Sequence, residues 1–282
     1  MKAVYIEQFG GPEVVKFGDL PDPTPGPGQV LVEVHAASIN GADWKMRAGN
    51  YAKRGNLPTF PVIIGRDFSG VVSAVGTGVD DLKVGDEVFG VLEVGREGTY
   101  AEKIVIGASI IAKKPAELSH VDAAALALTG LTALSAIEDT LKLQHGETVL
   151  IQGGAGGVAS IAIQIAKHLG ARVITTASGP TQPYLRSVGA DQVIDYTVTD
   201  FTTAVSDCDA VFDTVGGDVA LRSFKVLMSG GRAAFIASGG QAPTTEPIDV
   251  TSLRPAATRA RAPLERVIEL HKAGAIVVPP IK

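Results

Sequence analysis

The chain has 282 residues, 45% of them hydrophobic and 20% charged, with a formal charge of −5. That length suits two domains with sizeable cores, and the acidic balance excludes a duplex-binding surface, which needs concentrated basic charge. No apolar run approaches the roughly twenty residues that cross a bilayer. The strand-like start leaves no room for a signal peptide, and a lone cysteine, Cys208, points to a reducing cytoplasm.

Residues 1–7 open on a strand pattern, and the proline-rich stretch 21–28 is an extended or turning connection. Residues 29–35 alternate as a half-buried strand should. Apolar stretches at 62–65, 70–76 and 86–91 follow, each bracketed by glycine or aspartate. Many short strands with closely spaced turn signals predict a compact antiparallel barrel, here over residues 1–118.

From Ser119 the pattern changes. Residues 121–143 are rich in alanine and leucine and predict a helix broken at Thr129-Gly130. A continuous apolar strand at 148–152 leads through a glycine-rich turn into a helix reaching Lys167. Further strands are expected at 172–176, 192–195, 210–213 and 232–236. Unbroken apolar strands alternating with helices predict a parallel sheet covered on both faces, an α/β doubly wound domain over 119–260. No repeat or low-complexity stretch is present.

The turn Gly153-Gly154-Ala155-Gly156-Gly157-Val158-Ala159 contains G-x-G-x-x-A, starting at Gly154. The first glycine takes the tight turn and the second admits a pyrophosphate against the backbone. The small third residue lets helix pack on strand. The helix that follows offers its free N–H groups to phosphate. An NAD site carries Asp or Glu about twenty residues on, to hold the ribose hydroxyls. Here that place reads Thr175-Thr176-Ala177-Ser178-Gly179, with no acid until Asp191. A carboxylate would repel a 2′-phosphate and hydroxyls can donate to it, so NADP(H) is favoured. Ser178 is the natural donor, with Thr176, Thr181 and Arg186 as supports. The other reading of Ser178 is a cap for the next helix.

A catalytic zinc needs three protein ligands, and a structural zinc lobe needs four thiolates. One cysteine and five histidines scattered along the chain (His35, His120, His145, His168, His271) supply neither. The histidines read as surface or structural residues, and Cys208, beside Asp207 and Asp209, as inert. Hydride transfer without a Lewis acid favours an acceptor that spreads the incoming charge itself, such as a quinone or an α,β-unsaturated carbonyl.

The chain resembles the zinc-independent quinone oxidoreductase branch of the medium-chain dehydrogenase/reductase superfamily over nearly its whole length. The carriers in the first half are Ala37-Ser38-Ile39-Asn40-Gly41-Ala42-Asp43-Trp44-Lys45, Gly65-Arg66-Asp67-Phe68-Ser69-Gly70 and Gly98-Thr99-Tyr100-Ala101-Glu102. In the second they are the glycine turn, Val188-Gly189-Ala190-Asp191 and Val211-Phe212-Asp213-Thr214-Val215-Gly216. The resemblance implies a GroES-like β-barrel domain and a Rossmann domain, with NADPH between them. It puts Tyr51 and Thr132 beside the nicotinamide, and Gly154, Ala155, Gly156, Gly157 and Val158 at the pyrophosphate. Ser178 would meet the 2′-phosphate, while Tyr196, Val215, Ala237 and Ser238 line the remaining cofactor path.

Asn40, Lys45 and Tyr51 are the catalytic candidates. Asn40 lies on the substrate side, and Lys45, with Asp43 near it, resembles residues of enone-reducing members. Tyr51 is a proton donor in competition with water. Each has a plainer reading: Asn40 tying up a loop, Lys45 as surface charge, Asp43 as a helix cap, Tyr51 as packing. A small-molecule quinone or enone is the expected partner, in a homodimer with no membrane or nucleic-acid partner. Ala159 stands where the family has glycine, and residues 261–282 read as the truncated start of a return to the first domain. The rival readings are an NADPH-binding sensor or structural protein with little turnover, and a zinc alcohol dehydrogenase.

Overall fold

The computed structural model describes residues 1–51, 58–93, 96, 98–239, 241–244 and 249–280. The chain divides into two compact units, Met1–Leu128 with Arg259–Arg266, and Thr129–Thr258 with Val267–Lys282.

The first unit is built on short antiparallel strands, as the closely spaced turn residues imply. Its elements are β1 (Lys2–Ile6), β2 (Val15–Asp19), β3 (Gln29–Ala36), α1 (Gly41–Arg47), β4 (Val62–Ile63), β5 (Asp67–Val75), β6 (Glu87–Val91), β7 (Lys103–Gly107) and β8 (Ile111–Lys113). Two sheets form, one in the order β2-β1-β4 and one in the order β7-β3-β5-β6-β8. Alternation along β3 sends Val30 and Val32 inward against Phe68, Val72, Val88, Ile104, Ile106 and Ile111. Gly65, just before β5, has φ +99°, and a β-carbon there would overlap Thr99 Oγ1 and the Tyr100 ring. Glycine is therefore required at the entry to that strand.

The chain continues through α2 (His120–Leu134), β9 (Thr148–Gln152), α3 (Gly157–His168), β10 (Arg172–Ala177), α4 (Gln182–Ser187), β11 (Gln192–Asp195), α5 (Phe201–Ala204), β12 (Cys208–Asp213), α6 (Gly217–Ser223), β13 (Leu227–Phe235), β14 (Thr251–Leu253) and α7 (Arg261–Lys272). The two-unit division falls within α2 and within α7. The second unit's six strands lie in the order β11-β10-β9-β12-β13-β14, and all of its pairings are parallel. Leu150, Ile174, Ile194, Val211, Ala233 and Phe235 fill one core cluster, where Phe235 packs on Phe224 with ring centroids 5.3 Å apart. Strand order runs outward in opposite directions from the β9–β12 pair, so the carboxyl ends of these strands flank a crevice.

One expectation is corrected. The helix does not break at Thr129-Gly130: α2 runs on to Leu134 and continues as a π-helical segment, Ser135–Thr140. A β-carbon at Gly130 would lie 2.8 Å from Val267 Cγ1, so this glycine admits a neighbouring side chain and does not end the helix. The stretch His120–Thr140, 21 residues long, is long and apolar enough to cross a membrane by length and composition only. Its apolar window is 67% buried within the protein, as a core helix requires.

Phe235→Ala should cost about 3–5 kcal/mol, because a fully buried ring pair collapses poorly around its cavity. Urea unfolding should show this as a lower midpoint with an unchanged slope; a loss under about 1 kcal/mol would contradict the packing.

Candidate functional site

The glycine turn joins β9 to α3 at the crevice. Gly153 has φ +76°, and its N–H donates to Thr176 Oγ1 at 3.1 Å. Gly154 donates to the Thr176 carbonyl at 3.0 Å, and a β-carbon on it would overlap Thr175 Oγ1. Gly156 is the N-cap of α3 in extended conformation (φ −74°, ψ 151°), and no side chain caps the helix. The first N–H groups of α3, at Gly157 and Val158, have no carbonyl a turn earlier to meet. A turn emptied of side chains and an uncapped helix start fit a diphosphate, with Gly154, Ala155, Gly156, Gly157 and Val158 arranged to hold it.

Beneath the turn runs a buried polar chain. Thr176 Oγ1 donates to Gln152 Oε1 at 2.7 Å, Gln152 Nε2 to Ser223 Oγ at 3.1 Å, and Ser223 Oγ to the Val219 carbonyl at 2.8 Å. These bonds tie the ends of β9 and β10 to α6. Gln152, Gly153, Thr176, Tyr196, Val215 and Val219 line a cavity of about 700 Å³, which extends along Thr197–Phe201 to Arg222. The structure thus brings Tyr196 and Val215 to one cavity with the turn, Tyr196 with 61% of its surface exposed. The sequence reading passed over Arg222. Its guanidinium lies 5.0 Å from the Phe201 ring centroid and pairs with Asp200.

Ser178 follows β10 and is half-buried; it stands at an N-cap position but its side chain makes no cap hydrogen bond. Asp195, four residues past Asp191, was not weighed in the sequence reading. It sits beside Ala177 in the parallel register, and its carboxylate takes hydrogen bonds from Thr197 Oγ1, Thr197 N–H and the Gly179 backbone. These bonds hold the carboxyl below its ordinary range and fasten the Ser178-Gly179 loop to the Tyr196-Thr197 turn. Arg186 donates to Gln182 Oε1 at 3.0 Å, on its own helix. Asp213, at the end of β12, is fully buried and accepts from Val215 N–H at 2.5 Å and Gly216 N–H at 2.8 Å. It thereby fixes the Val215 wall, while burial pushes its own carboxyl up. Ala237 lies against Gly216, and Ser238 Oγ donates to the Gln241 carbonyl at 3.0 Å. Thr132 stands half-buried on α2 and is not among the residues lining the cavity.

In the first unit Asn40 begins α1. Its N–H donates to Asp43 Oδ2 at 2.7 Å, one half of a capping box, so Asp43 does cap the helix. Asn40 Nδ2 donates to Asp67 Oδ2 at 2.9 Å, and Ser38 gives the same carboxylate a hydroxyl bond at 2.6 Å and a backbone bond at 2.8 Å. Asp67 is fully buried, and desolvation pushes it up to about 6 despite these donors. The Tyr100 hydroxyl lies 2.8 Å from Asp43 Oδ2. Lys45 turns its ammonium over the Trp44 ring, 5.7 Å from the centroid. Tyr51 is half-buried with the Arg66 guanidinium 5.1 Å from its ring centroid.

The histidines are not all scattered in space. His35 and His120 pack with ring centroids 4.5 Å apart, and His120 Nδ1 lies 2.8 Å from Ser69 Oγ, a pairing invisible at a separation of 85 positions. Cys208 is buried and its thiol is pushed up to about 12, mainly by desolvation.

Buried at about 6 but near 3.8 when unfolded, Asp67 binds its proton in the folded chain first. Its ionised form therefore weakens the fold above about pH 6, and this penalty is lifted as pH falls from about 6 towards 4. Stability of the native chain should rise relative to Asp67→Asn across that window in urea titrations. A pH-independent difference would remove the assignment. Gly154→Ala should abolish dinucleotide binding in a fluorescence titration, since its methyl group must displace Thr175; unaltered affinity would refute the turn's role.

Residues 26–116 match the alcohol dehydrogenase GroES-like domain family and residues 157–261 the zinc-binding dehydrogenase family. Among the described residues, no group of three His, Cys, Asp or Glu is placed to hold a metal ion. A tomato 2-methylene-furan-3-one reductase is 37% identical over 247 residues, 84% of this chain and 62% of that protein. The chain spans somewhat less than two thirds of the length of the curated relatives it matches. Among solved structures, the quinone oxidoreductase of Coxiella burnetii is 34% identical with a TM-score of 0.88, covering 98% of this chain and 89% of that one. The Escherichia coli quinone oxidoreductase complexed with NADPH is 28% identical with a TM-score of 0.88, covering 100% of this chain and 91% of its own.

Proposed function

The chain belongs to the quinone oxidoreductase branch of the medium-chain dehydrogenase/reductase superfamily, and on that premise we propose that it transfers hydride from NADPH to a quinone or an α,β-unsaturated carbonyl without zinc. The observation that carries this reading is the uncapped start of α3 behind a turn where a β-carbon at Gly154 has no room. When bound, the dinucleotide supplies the hydride; the chain's residues supply position and charge.

Gly154, Ala155, Gly156, Gly157 and Val158 hold the pyrophosphate through backbone N–H groups and the helix dipole. Tyr196 and Val215 cover the adenine in the cavity, and Ala237 and Ser238 continue the cofactor path. The Ser178 hydroxyl, unused as a cap, donates to the 2′-phosphate. Tyr51 and Thr132 serve the nicotinamide end, with Asn40 and Lys45 on the acceptor side. Asn40 is held by Asp67 and Asp43, so its amide is fixed before any ligand arrives. A quinone or enone suits this set, since the acceptor delocalises its own charge. The protein assembles as a homodimer in this reading.

Steady-state oxidation of NADPH and NADH with a panel of quinones and enones tests the function. Turnover with NADPH is expected, and silence with every acceptor would leave a binding protein in its place. Ser178→Asp should weaken NADPH at least about tenfold more than NADH, because the new carboxylate faces a phosphate in one cofactor and hydroxyls in the other. Equal losses would refute that contact. Tyr51→Phe should lower kcat with enones if the phenol delivers the proton, whereas unchanged kinetics would assign that step to water.

A further inference from the structure

The chain of hydrogen bonds beneath the glycine turn has its direction fixed at both ends. It starts at Gly153 N–H, which can only donate, and finishes at the Val219 carbonyl, which can only accept. Each hydroxyl between them has one proton to give. Thr176 Oγ1 accepts from Gly153, so its proton goes to Gln152 Oε1 at 2.7 Å. Ser223 Oγ accepts from Gln152 Nε2 at 3.1 Å and gives its own proton to Val219 at 2.8 Å. The Gln152 amide therefore has one orientation that satisfies every member, and the Thr176 proton is spent here and does not serve a 2′-phosphate. Ser223 is fully buried and is not among the residues lining the cavity, yet its bond to Gln152 sets how α6 lies against the end of β9. The start of α6 is set by Asp213, whose carboxylate takes Val215 N–H and Gly216 N–H just before the helix. Between these two fastenings, Val219 and Arg222 line the cavity.

We propose that Ser223 is a positioning residue for the dinucleotide: through Gln152 and Thr176 it keeps the glycine turn, which takes the diphosphate, in register with the α6 wall of the cavity, which takes the adenosine. This rests on the cofactor placement given above. A ligand that fills two subsites at once binds far more tightly than its halves, but only while the spacing of the subsites matches the ligand. With seven residues, α6 is too short to hold its own position, so that spacing depends on what fastens it. Removing the Ser223 hydroxyl takes away the acceptor of Gln152 and leaves a buried amide proton unpaired. The Gln152 side chain then turns to another partner, and Thr176 loses the acceptor that fixes its own proton. Neither subsite loses a group that touches the ligand. What changes is where the turn stands against α6.

Ser223→Ala should raise the Kd for NADPH about tenfold in a fluorescence titration. Displacement of NADPH by 2′-AMP and by inorganic pyrophosphate reads each subsite alone, and both fragments should keep their native affinity within about twofold. A general loosening of the fold would instead lower Tm and weaken fragments and dinucleotide alike. Thr176→Val cuts the same relay nearer the turn, so in the double variant the two losses should not multiply. The proposal is overturned by an NADPH Kd within about twofold of native, by fragments weakened as much as the dinucleotide, or by losses that multiply. These titrations need no acceptor, so a failure to reduce any quinone or enone bears on the hydride-transfer reading and not on Ser223. Should neither fragment displace NADPH from the native chain, the placement of the subsites fails separately, and the NADPH titrations with the double variant decide on Ser223. If Ser223→Ala does not fold by circular dichroism, Ser223→Cys, whose thiol makes only weak hydrogen bonds, is judged by the same criteria.

Discussion

The second unit depends on the helix start of α3, whose first N–H groups have no partner within the helix. Satisfying them inside the protein would take a capping side chain, and Gly156 has none. Leaving them open to an anion requires that the turn before them carry no bulk, and the glycines meet that demand in different ways. Gly153 takes a positive φ, while Gly154 lies so close to Thr175 that no side chain fits. Thr176 then braces the turn by accepting from Gly153 and donating to Gln152, which reaches on to Ser223. The β9–β12 pairing carries the arrangement, because reversal of strand order at that pair opens the sheet at its carboxyl edge.

The first unit is organised around a different constraint, a fully buried carboxylate. Asp67 is held by three hydrogen bonds from Ser38 and Asn40, and among the described residues no ion pair to it is seen. Such a group is costly unless its acceptors are filled, and the cost falls on the loop that fills them. Ser38 and Asn40 are therefore pinned where β3 gives way to α1, and Asp43 pins the same residue from the helix side. The order of this loop comes from polar satisfaction and not from apolar packing: Ile39, between the two donors, is 90% exposed.

The sequence made the parallel sheet, the glycine turn and the antiparallel first half legible, because each has a local signature. Periodicity reveals strands buried on both faces, and glycine spacing reveals a turn that backbone geometry demands. What it concealed was decided by distant neighbours. Gly130 reads as a helix breaker by propensity, yet it is there to admit Val267. Asp195 lies beyond the usual acid position in sequence, but parallel pairing sets it beside Ala177 and its carboxylate against Gly179. The three residues of β14 are too few for any pattern to show. His35 and His120 meet only because the first unit folds, and Arg66 meets Tyr51 for the same reason.

That asymmetry has a physical cause with consequences for the chemistry. Binding a diphosphate by backbone N–H groups asks for the absence of side chains, a demand written locally as glycine and tolerant of change nearby. Handling an acceptor asks for the presence of particular side chains in fixed rotamers, each set by residues far away in sequence. In the first unit Asp67 and Asp43 hold Asn40, and the Arg66 guanidinium packs on the Tyr51 ring. Such contacts can be exchanged without disturbing the sheet that holds the cofactor. The glycine turn is thus readable from a short stretch of sequence, whereas the contacts that hold Asn40 and Tyr51 are readable only from the folded chain.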